Sequence, residues 1–338
     1  MAEIGNRSSL RDMAGLATPM SLRVAATLKL ADRIGDAGAT ADDLAAWSGA
    51  ATKALTRVLD HLVMVGVFDL SEGYYNNTDL GKQLQDGGDN ELLDELDVNS
   101  AIGRAELSFV ELLHTVSTGA AAYPRRYGRD FWADLAVTPS LQQSFDTKMV
   151  RRFREQAPQI AQRFNWSRFR NIIDVGGGRG TVLSAILRAY PDVRGQLIDL
   201  PPTAARAAEE FASAGLTSRV SATAGSFFEP LPIGADAYIL SDVLHDWDDE
   251  HAHAILSRCA RAAGPNGTIL VIEPVRGRDA NTAIDLAMLA FFGGCERTID
   301  ELAEMASEPH LALESTTQVA GDRTLLEFTV ASTGAPTD

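Results

Sequence analysis

Apolar positions recur at helical spacing over the first 165 residues and then condense into short solid runs separated by helical stretches. In the first region Leu22, Ala25, Ala26, Leu28, Leu30 and Ile34 predict one apolar helix. Thr40, with Asp43 three residues on, marks a helix start that carries Leu44, Ala45 and Trp47. Thr52 opens another, with Leu55, Val58, Leu59, Leu62 and Val63 at helical spacing and Gly66 as its stop. Val67-Phe68-Asp69-Leu70, Ser71-Glu72-Gly73 and Tyr74-Tyr75-Asn76 predict a small hairpin or wing, and Thr78-Asp79-Leu80-Gly81 a further short helix. Residues 105–165 stay helical: Leu107, Val110, Glu111, Leu113 and His114 run up to Gly119, residues 127–132 are aromatic-rich, and Phe145 and Met149 share a face at i, i+4.

Beyond residue 165 strands are expected at 171–175, 196–200, 220–224, 237–242 and 268–274, with helices between them. Two last strands, 311–319 and 324–332, have no helix between them and predict an antiparallel pair at the edge of an otherwise parallel sheet. The fold class is therefore α/β, with a helical winged N-terminal part. The expected divisions are 1–105, a connector at 106–165, and a catalytic part at 166–338.

Charge narrows the use of the winged part. The chain carries a net charge of −16, and residues 1–105 hold 16 acidic against 9 basic side chains. The helix that would enter a DNA groove has only Lys53 and Arg57 as cations, so an interaction or dimerisation module is expected, with no nucleic acid or anionic membrane as partner. The two cysteines, Cys259 and Cys295, read as buried thiols in a reducing cytoplasm. Met1–Met20 lacks the apolar core of a signal peptide, and no run approaches the length of a membrane span. The tail 333–338 reads as frayed.

The strand Asn171-Ile172-Ile173-Asp174-Val175 runs into Gly176-Gly177-Gly178-Arg179-Gly180, and the next strand ends in Asp199-Leu200. Strand, glycine turn, helix, strand, acid is the layout of a nucleotide-type pocket, in which the acid accepts from ribose hydroxyls. A dinucleotide fingerprint places its third glycine where Thr181 stands; Gly180 is one residue early. That displacement leans the motif towards S-adenosylmethionine (SAM) and leaves a dinucleotide or a ligand-free turn as alternatives. No Gly-Lys-Ser/Thr follows, which excludes a P-loop.

A second signal, Ser241-Asp242-Val243-Leu244-His245-Asp246-Trp247, follows the fourth strand at the carboxyl edge of the sheet. A histidine there suits a general base. Asp248, Asp249 and Glu250 read as acids at a helix N-terminus. His251 and His253 crowd the same region, but one helix cannot aim all these groups at one ion, and no metal is expected. Glu273 ends the fifth strand and Glu296 lies in Phe292-Gly293-Gly294-Cys295-Glu296-Arg297-Thr298; Glu273 sits where strand ends face the pocket, and Arg297 can pair with an acid nearby.

Taken together, residues 127–132, 174–180, 245–247 and 293–298 with the winged N-terminal part make the chain resemble the SAM-dependent O-methyltransferases of the plant caffeate type, above all their bacterial natural-product branch around carminomycin O-methyltransferase. The resemblance implies a Rossmann-like methyltransferase sheet and a homodimer formed through the N-terminal domain. It implies that Gly176, Gly178, Asp199, Leu200, Ser226, Phe227 and Ser241 hold SAM. His245 is the implied general base, flanked by Glu273 and Glu296, and Trp132, Phe145, Met149, Asp246, Met288 and Phe292 line the acceptor pocket. The expected reaction is in-line methyl transfer to a phenolic hydroxyl of a polyketide-like aromatic compound, without a metal. Ser226 departs from the family, which has an aspartate there opposite the adenine, and Ser241 stands where plant members have lysine. One branch of the group lacks the histidine and hydroxylates or decarboxylates instead; a SAM-binding regulator is the other alternative.

Overall fold

The computed structural model describes residues 9–87, 90–278 and 280–330. The expected frayed tail, the last two positions of the expected final strand and the first eight residues lie outside the described residues. The chain divides into two compact units, Met1–Leu107 and Ser108–Asp338, so the expected connector is continuous with the second unit.

The first unit comprises α1 (Leu10–Ala14), α2 (Ala17–Thr27), α3 (Leu30–Ile34), α4 (Ala41–Ser48), α5 (Thr52–Met64), the antiparallel hairpin β1 (Phe68–Ser71) and β2 (Tyr74–Asn77), α6 (Glu91–Leu96) and α7 (Ala101–Glu106). The single apolar helix expected over residues 22–34 is two. Leu28 and Lys29 donate back to the carbonyls of Val24 and Ala26, closing α2, and Lys29 turns left-handed at φ 48°. The break lets Ala25 on one side and Leu30, Ala31 and Ile34 on the other all reach the core with Leu44, Leu55, Leu59, Leu62 and Phe68. At the start of α4 the capping box is formed: Thr40 Oγ1 accepts from Asp43 N–H at 3.2 Å, and Asp43 Oδ2 accepts from Thr40 N–H at 3.3 Å. The short helix expected after Thr78 is a single 3-10 turn, Gly81–Leu84, in which Thr78 Oγ1 accepts from Gly81 N–H.

The second unit opens with α8 (Leu112–Thr118), α9 (Ala122–Tyr127), α10 (Phe131–Val137) and α11 (Pro139–Arg163). Then β3 (Asn171–Val175), α12 (Thr181–Ala189), β4 (Arg194–Asp199), α13 (Pro201–Ser213), β5 (Val220–Ala224), β6 (Ala237–Ser241), α14 (Asp249–Ala263), β7 (Thr268–Glu273), α15 (Thr282–Phe291), α16 (Ile299–Ser307), β8 (Leu311–Ala320) and β9 (Arg323–Val330) follow. The seven strands lie in the order β5-β4-β3-β6-β7-β9-β8; the first five are parallel, and β9 runs antiparallel between β7 and β8.

Alternate strand residues supply two cores. Ile172, Ile239, Leu270 and Ile272 pack with Phe153 and Ile160 of α11 and Leu183 and Ile186 of α12. Ile173, Val175, Leu240 and Val271 pack with Ile255, Leu256 and Cys259 of α14 and Leu302 of α16. A sheet covered on both faces explains why the strands read as solid apolar runs rather than as alternation. Chain order reverses direction between β3 and β6, and at such a switch point the carboxyl ends of the strands open a crevice. Four of the expected site segments end there: Gly176 after β3, Asp199 on β4, Ser241 on β6 and Glu273 on β7.

Candidate active site

The first wall of the crevice is the turn after β3. Gly176 lies at φ 71° and donates to Ile198 O at 2.8 Å. A Cβ at this position would stand 3.1 Å from Val243 Cγ2 and 3.4 Å from the Phe227 ring, so glycine keeps the backbone open to a ligand. Gly178 N–H donates to Asp199 Oδ2 at 2.8 Å, and Leu200 N–H donates to Asp199 Oδ1 at 2.7 Å. Burial pushes Asp199 up to about 6; these two N–H groups work against that and Asp146 with it. Asp199 is thus ionised at neutral pH with lone pairs left to accept from vicinal hydroxyls.

Three polar atoms beside this turn are unspent. Both carboxylate oxygens of Asp174 and Ser241 Oγ are buried without a hydrogen-bond partner. Burial, and then Asp199, push Asp174 up to about 7. An orphaned buried polar group costs about 1–3 kcal/mol, and two such residues at adjacent strand ends fit a site completed by a polar ligand. Ser226 spends its hydroxyl differently from an aspartate: Oγ accepts from Phe228 N–H at 3.2 Å within its own loop. Its O–H remains to donate to a ring nitrogen, where an acid would accept from an amino group.

The second wall is the turn after β6, where residues 244–246 form one 3-10 turn. Glu273, expected beside the imidazole, instead holds the backbone of this turn. Its Oε1 accepts from Val243, Leu244 and His245 N–H at 3.2, 2.5 and 3.3 Å. Arg297 closes the other side, donating from Nη1 to Leu244 O at 2.9 Å and from Nη2 to Trp247 O at 2.8 Å while its fork pairs with Asp249. Glu296 is the carboxylate that meets the ring, with Oε1 3.0 Å from His245 Nδ1. Nδ1 facing a carboxylate carries the hydrogen, which leaves Nε2 for chemistry; Nε2 lies 3.5 Å from Asp246 Oδ1.

The imidazole is fully buried. Burial alone would lower its pKa, but Asp246, Glu296 and Asp242 raise it to about 10. The same crowding of acids, after burial itself, lifts Asp246 and Glu273 to about 7.

Gly294 lets this wall close. A Cβ there would fall 2.1 Å from His245 O and 2.6 Å from Asp246 C. Gly294→Ala is therefore expected to force the 293–298 segment and the histidine turn apart, at about 1–3 kcal/mol, visible as a melting-temperature loss of several degrees; an unchanged melting curve would show that the turn yields freely.

The third wall is aromatic. Phe131 is buried at its centre, with ring centroids 5.2 Å from Trp132, 5.5 Å from Phe145 and 4.9 Å from Phe292. Trp132 lies nearly parallel to Phe292 at 5.4 Å and to Trp247 at 6.3 Å, and Trp247 meets Phe227 at 5.8 Å. The aromatic run thus links α11 to the loop beside the glycine turn. Met288, at the end of α15, is buried, and its carbonyl accepts from Phe292, Gly293 and Gly294. Met149, one turn from Phe145 on α11, packs half-buried against the core around Phe153.

The glycine turn, Asp199, Ser241 and the histidine turn thus share the carboxyl edge of the sheet, with Glu296 on the imidazole and Glu273 on the backbone of its turn. Asp174, Phe131 and Trp247 stood inside the quoted motifs without a site role of their own, although an acid inside an apolar strand and an aromatic beside Trp132 were visible signals. His251 pairs with Asp248 at 2.7 Å and His253 with Glu308 at 2.9 Å. Among the described residues no group of His, Cys, Asp and Glu is arranged to hold a metal ion, and no helix is long and apolar enough to cross a membrane.

Comparison with known proteins gives the same outline. The model of the O-methyltransferase domain matches residues 109–310, and that of the O-methyltransferase dimerisation domain matches residues 10–86. The 2,7-dihydroxy-5-methyl-1-naphthoate 7-O-methyltransferase of Streptomyces carzinostaticus is 48% identical over 308 residues, 90% of this chain and 93% of that protein. The aclacinomycin 10-hydroxylase of Streptomyces purpurascens is 42% identical over 339 residues, 96% of this chain and 90% of that protein. A solved O-methyltransferase of neocarzinostatin biosynthesis, in complex with SAM and 2-hydroxy-5-methyl naphthoic acid, matches with a TM-score of 0.92 at 45% identity, over 97% of this chain and 100% of that one.

Proposed function

The chain belongs to the O-methyltransferase family, and we propose that it methylates a phenolic hydroxyl of an aromatic natural product with SAM as methyl donor. The observation that carries this reading is the His245–Glu296 pair, 3.0 Å apart and buried, at the strand edge that also bears the glycine turn.

The residues of that turn fit the cofactor. Asp199 would hold the ribose hydroxyls, Gly176, Gly178 and Leu200 its backbone approach, Ser226 and Phe227 the adenine, and Asp174 and Ser241 the remaining polar groups. When bound, SAM would supply an electrophilic methyl group on a cationic sulfonium, whose charge also opposes protonation of His245.

The protein's own residues do the rest. The aromatic run from Phe145 through Trp132 and Phe292 to Trp247 supplies flat, rigid faces for an aromatic acceptor and excludes water. Holding the phenolic oxygen in line is worth up to roughly 7–11 kcal/mol of the barrier. His245, in its neutral form, would take the proton of that oxygen at Nε2. Against the effect of burial, Asp246, Glu296 and Asp242 raise the basicity of the ring, so the imidazolium that receives the phenolic proton is well stabilised. Glu296 keeps the ring oriented and balances the imidazolium that results. Glu273 and Arg297 fix the turn that carries it.

The first unit supports a homodimer: Leu10, Met13 and Leu16 present an exposed apolar row in the segment that matches the dimerisation domain. The free thiols of Cys259 and Cys295 support a cytoplasmic setting.

Incubation with SAM and a panel of hydroxynaphthoates and other phenolic polyketide intermediates, read by mass spectrometry, tests the activity. The expected product is one methyl group heavier, with S-adenosylhomocysteine formed in equal amount. The 42% identity to a 10-hydroxylase keeps a second reading in view: oxygen uptake with SAM left intact would replace methyl transfer by that chemistry.

A further inference from the structure

Helix α11 turns Phe145, Met149, Arg152 and Gln156 towards one side, at i, i+4, i+7 and i+11. Phe145 reaches the aromatic wall. Two turns on, Arg152 reaches the carboxyl end of β6. There its Nε stands 3.7 Å from Asp242 Oδ2, beyond hydrogen-bond distance. Asp242 immediately precedes the histidine turn, and its charge is felt by His245.

Two guanidinium groups converge on one oxygen of Asp242. Arg323, fully buried, donates to Asp242 Oδ2 at 2.7 Å and also pairs with Asp322 at 2.8 Å. Asp322 is 43% exposed and spends a second oxygen contact on Gln156, so water screens it. One buried carboxylate therefore faces two guanidinium groups. Arg323 takes the hydrogen bond. Arg152, its side chain only 18% exposed, makes no hydrogen bond through its fork among the described residues. Its nitrogens retain contact with solvent, so the donors of the fork are open to a ligand. The planar fork offers two parallel N–H groups, the geometry of a carboxylate, and Asp242 steadies its other edge.

We propose that Arg152 binds a carboxylate on the aromatic acceptor, so that the preferred substrates of this chain are hydroxyaryl carboxylic acids rather than neutral phenols. This rests on the methyltransferase reading above. Within that reading Arg152 is a specificity residue: it holds the ring by its acid group while the hydroxyl faces His245.

The test compares 1,4-dihydroxy-2-naphthoic acid with 1,4-dihydroxynaphthalene, which lacks only the carboxylate. Wild-type protein, Arg152→Gln and Arg152→Lys are titrated with each ligand in the presence of S-adenosylhomocysteine, and methyl transfer is assayed in parallel. Arg152→Gln should weaken binding of the acid, and raise its KM, by about 10- to 100-fold. The diol should change by less than about twofold, and lysine should recover part of the loss. Equal weakening of both ligands, no weakening of the acid, or no binding of the acid by the wild-type protein would each overturn the assignment. Because binding is read without turnover, loss of acid binding in a protein that methylates neither ligand would uphold Arg152 and refute the methyltransferase reading instead. Unchanged affinity for S-adenosylhomocysteine separates the effect from misfolding.

Discussion

His245→Ala is expected to lower kcat by about 10²–10⁴-fold, the range for loss of a positioned general base, while affinity for SAM stays within about twofold. The split follows from where the side chain is anchored. The imidazole touches Glu296 and Asp246, and the turn that carries it is held from outside by Glu273 through three backbone N–H groups and by Arg297 through two carbonyls. None of these backbone contacts needs the imidazole, so its removal leaves the turn, and with it the β6 end of the SAM crevice, in place. Removing it does leave Glu296 buried without its partner, which costs some stability; protein melting recorded alongside kinetics separates that from the catalytic loss. A phenol acidified by a nitro group, already ionised at neutral pH, should lose far less in the variant than an ordinary phenol does. Near-normal turnover of the ordinary phenol would remove His245 from the base role. An equal loss for both acceptors would move its contribution from proton removal to positioning.

Much of this architecture could be read in advance. The five parallel strands and the antiparallel pair end close to their expected positions because both faces of the sheet are covered, and a strand such as Thr268–Glu273, buried throughout, leaves an unbroken apolar run. The Thr40–Asp43 capping box was legible for a similar reason: its chemistry is local. Lys29 was not. A lysine in the left-handed region has no sequence signature, and it is there because the two helical pieces flanking it both need the core. The roles of the two glutamates were equally hidden. Glu273 and Glu296 both lie at the pocket edge, and only the depth to which the 293–298 segment packs, permitted by Gly294, decides which one meets the ring and which the backbone. Arg152 carried no signal at all. It reads as one of several charges on a long polar helix until α11 is laid across the sheet and Asp242 appears opposite it.

Glu296→Gln is expected to lower kcat by about 100-fold or more and to move the acid limb of the kcat/KM profile downward in pH. Glutamine retains an oxygen to accept from His245 Nδ1–H, so ring orientation survives; the charge does not. In the wild-type protein Asp246, Glu296 and Asp242 outweigh burial and raise His245 to about 10. Catalysis needs the neutral ring, so kcat/KM should climb with pH well above the ordinary histidine value of about 6.5. Without the charge of Glu296 the imidazolium loses a stabilising partner, the neutral form appears at lower pH, and the limb shifts towards that ordinary value. The base is then more often ready but weaker, which is why the plateau falls as the limb moves. Stability follows the same linkage. A raised folded-state pKa contributes stability that is fully present below about pH 6.5 and is lost as pH rises through about 10. The wild-type melting temperature should therefore carry a decline over that window which the variant lacks in part. Nδ1 and Nε2 chemical shifts of His245, followed by NMR across the same window, locate the titration directly. An acid limb that stays in place in Glu296→Gln would assign the raised basicity to Asp246 and Asp242 and leave Glu296 a purely orienting part.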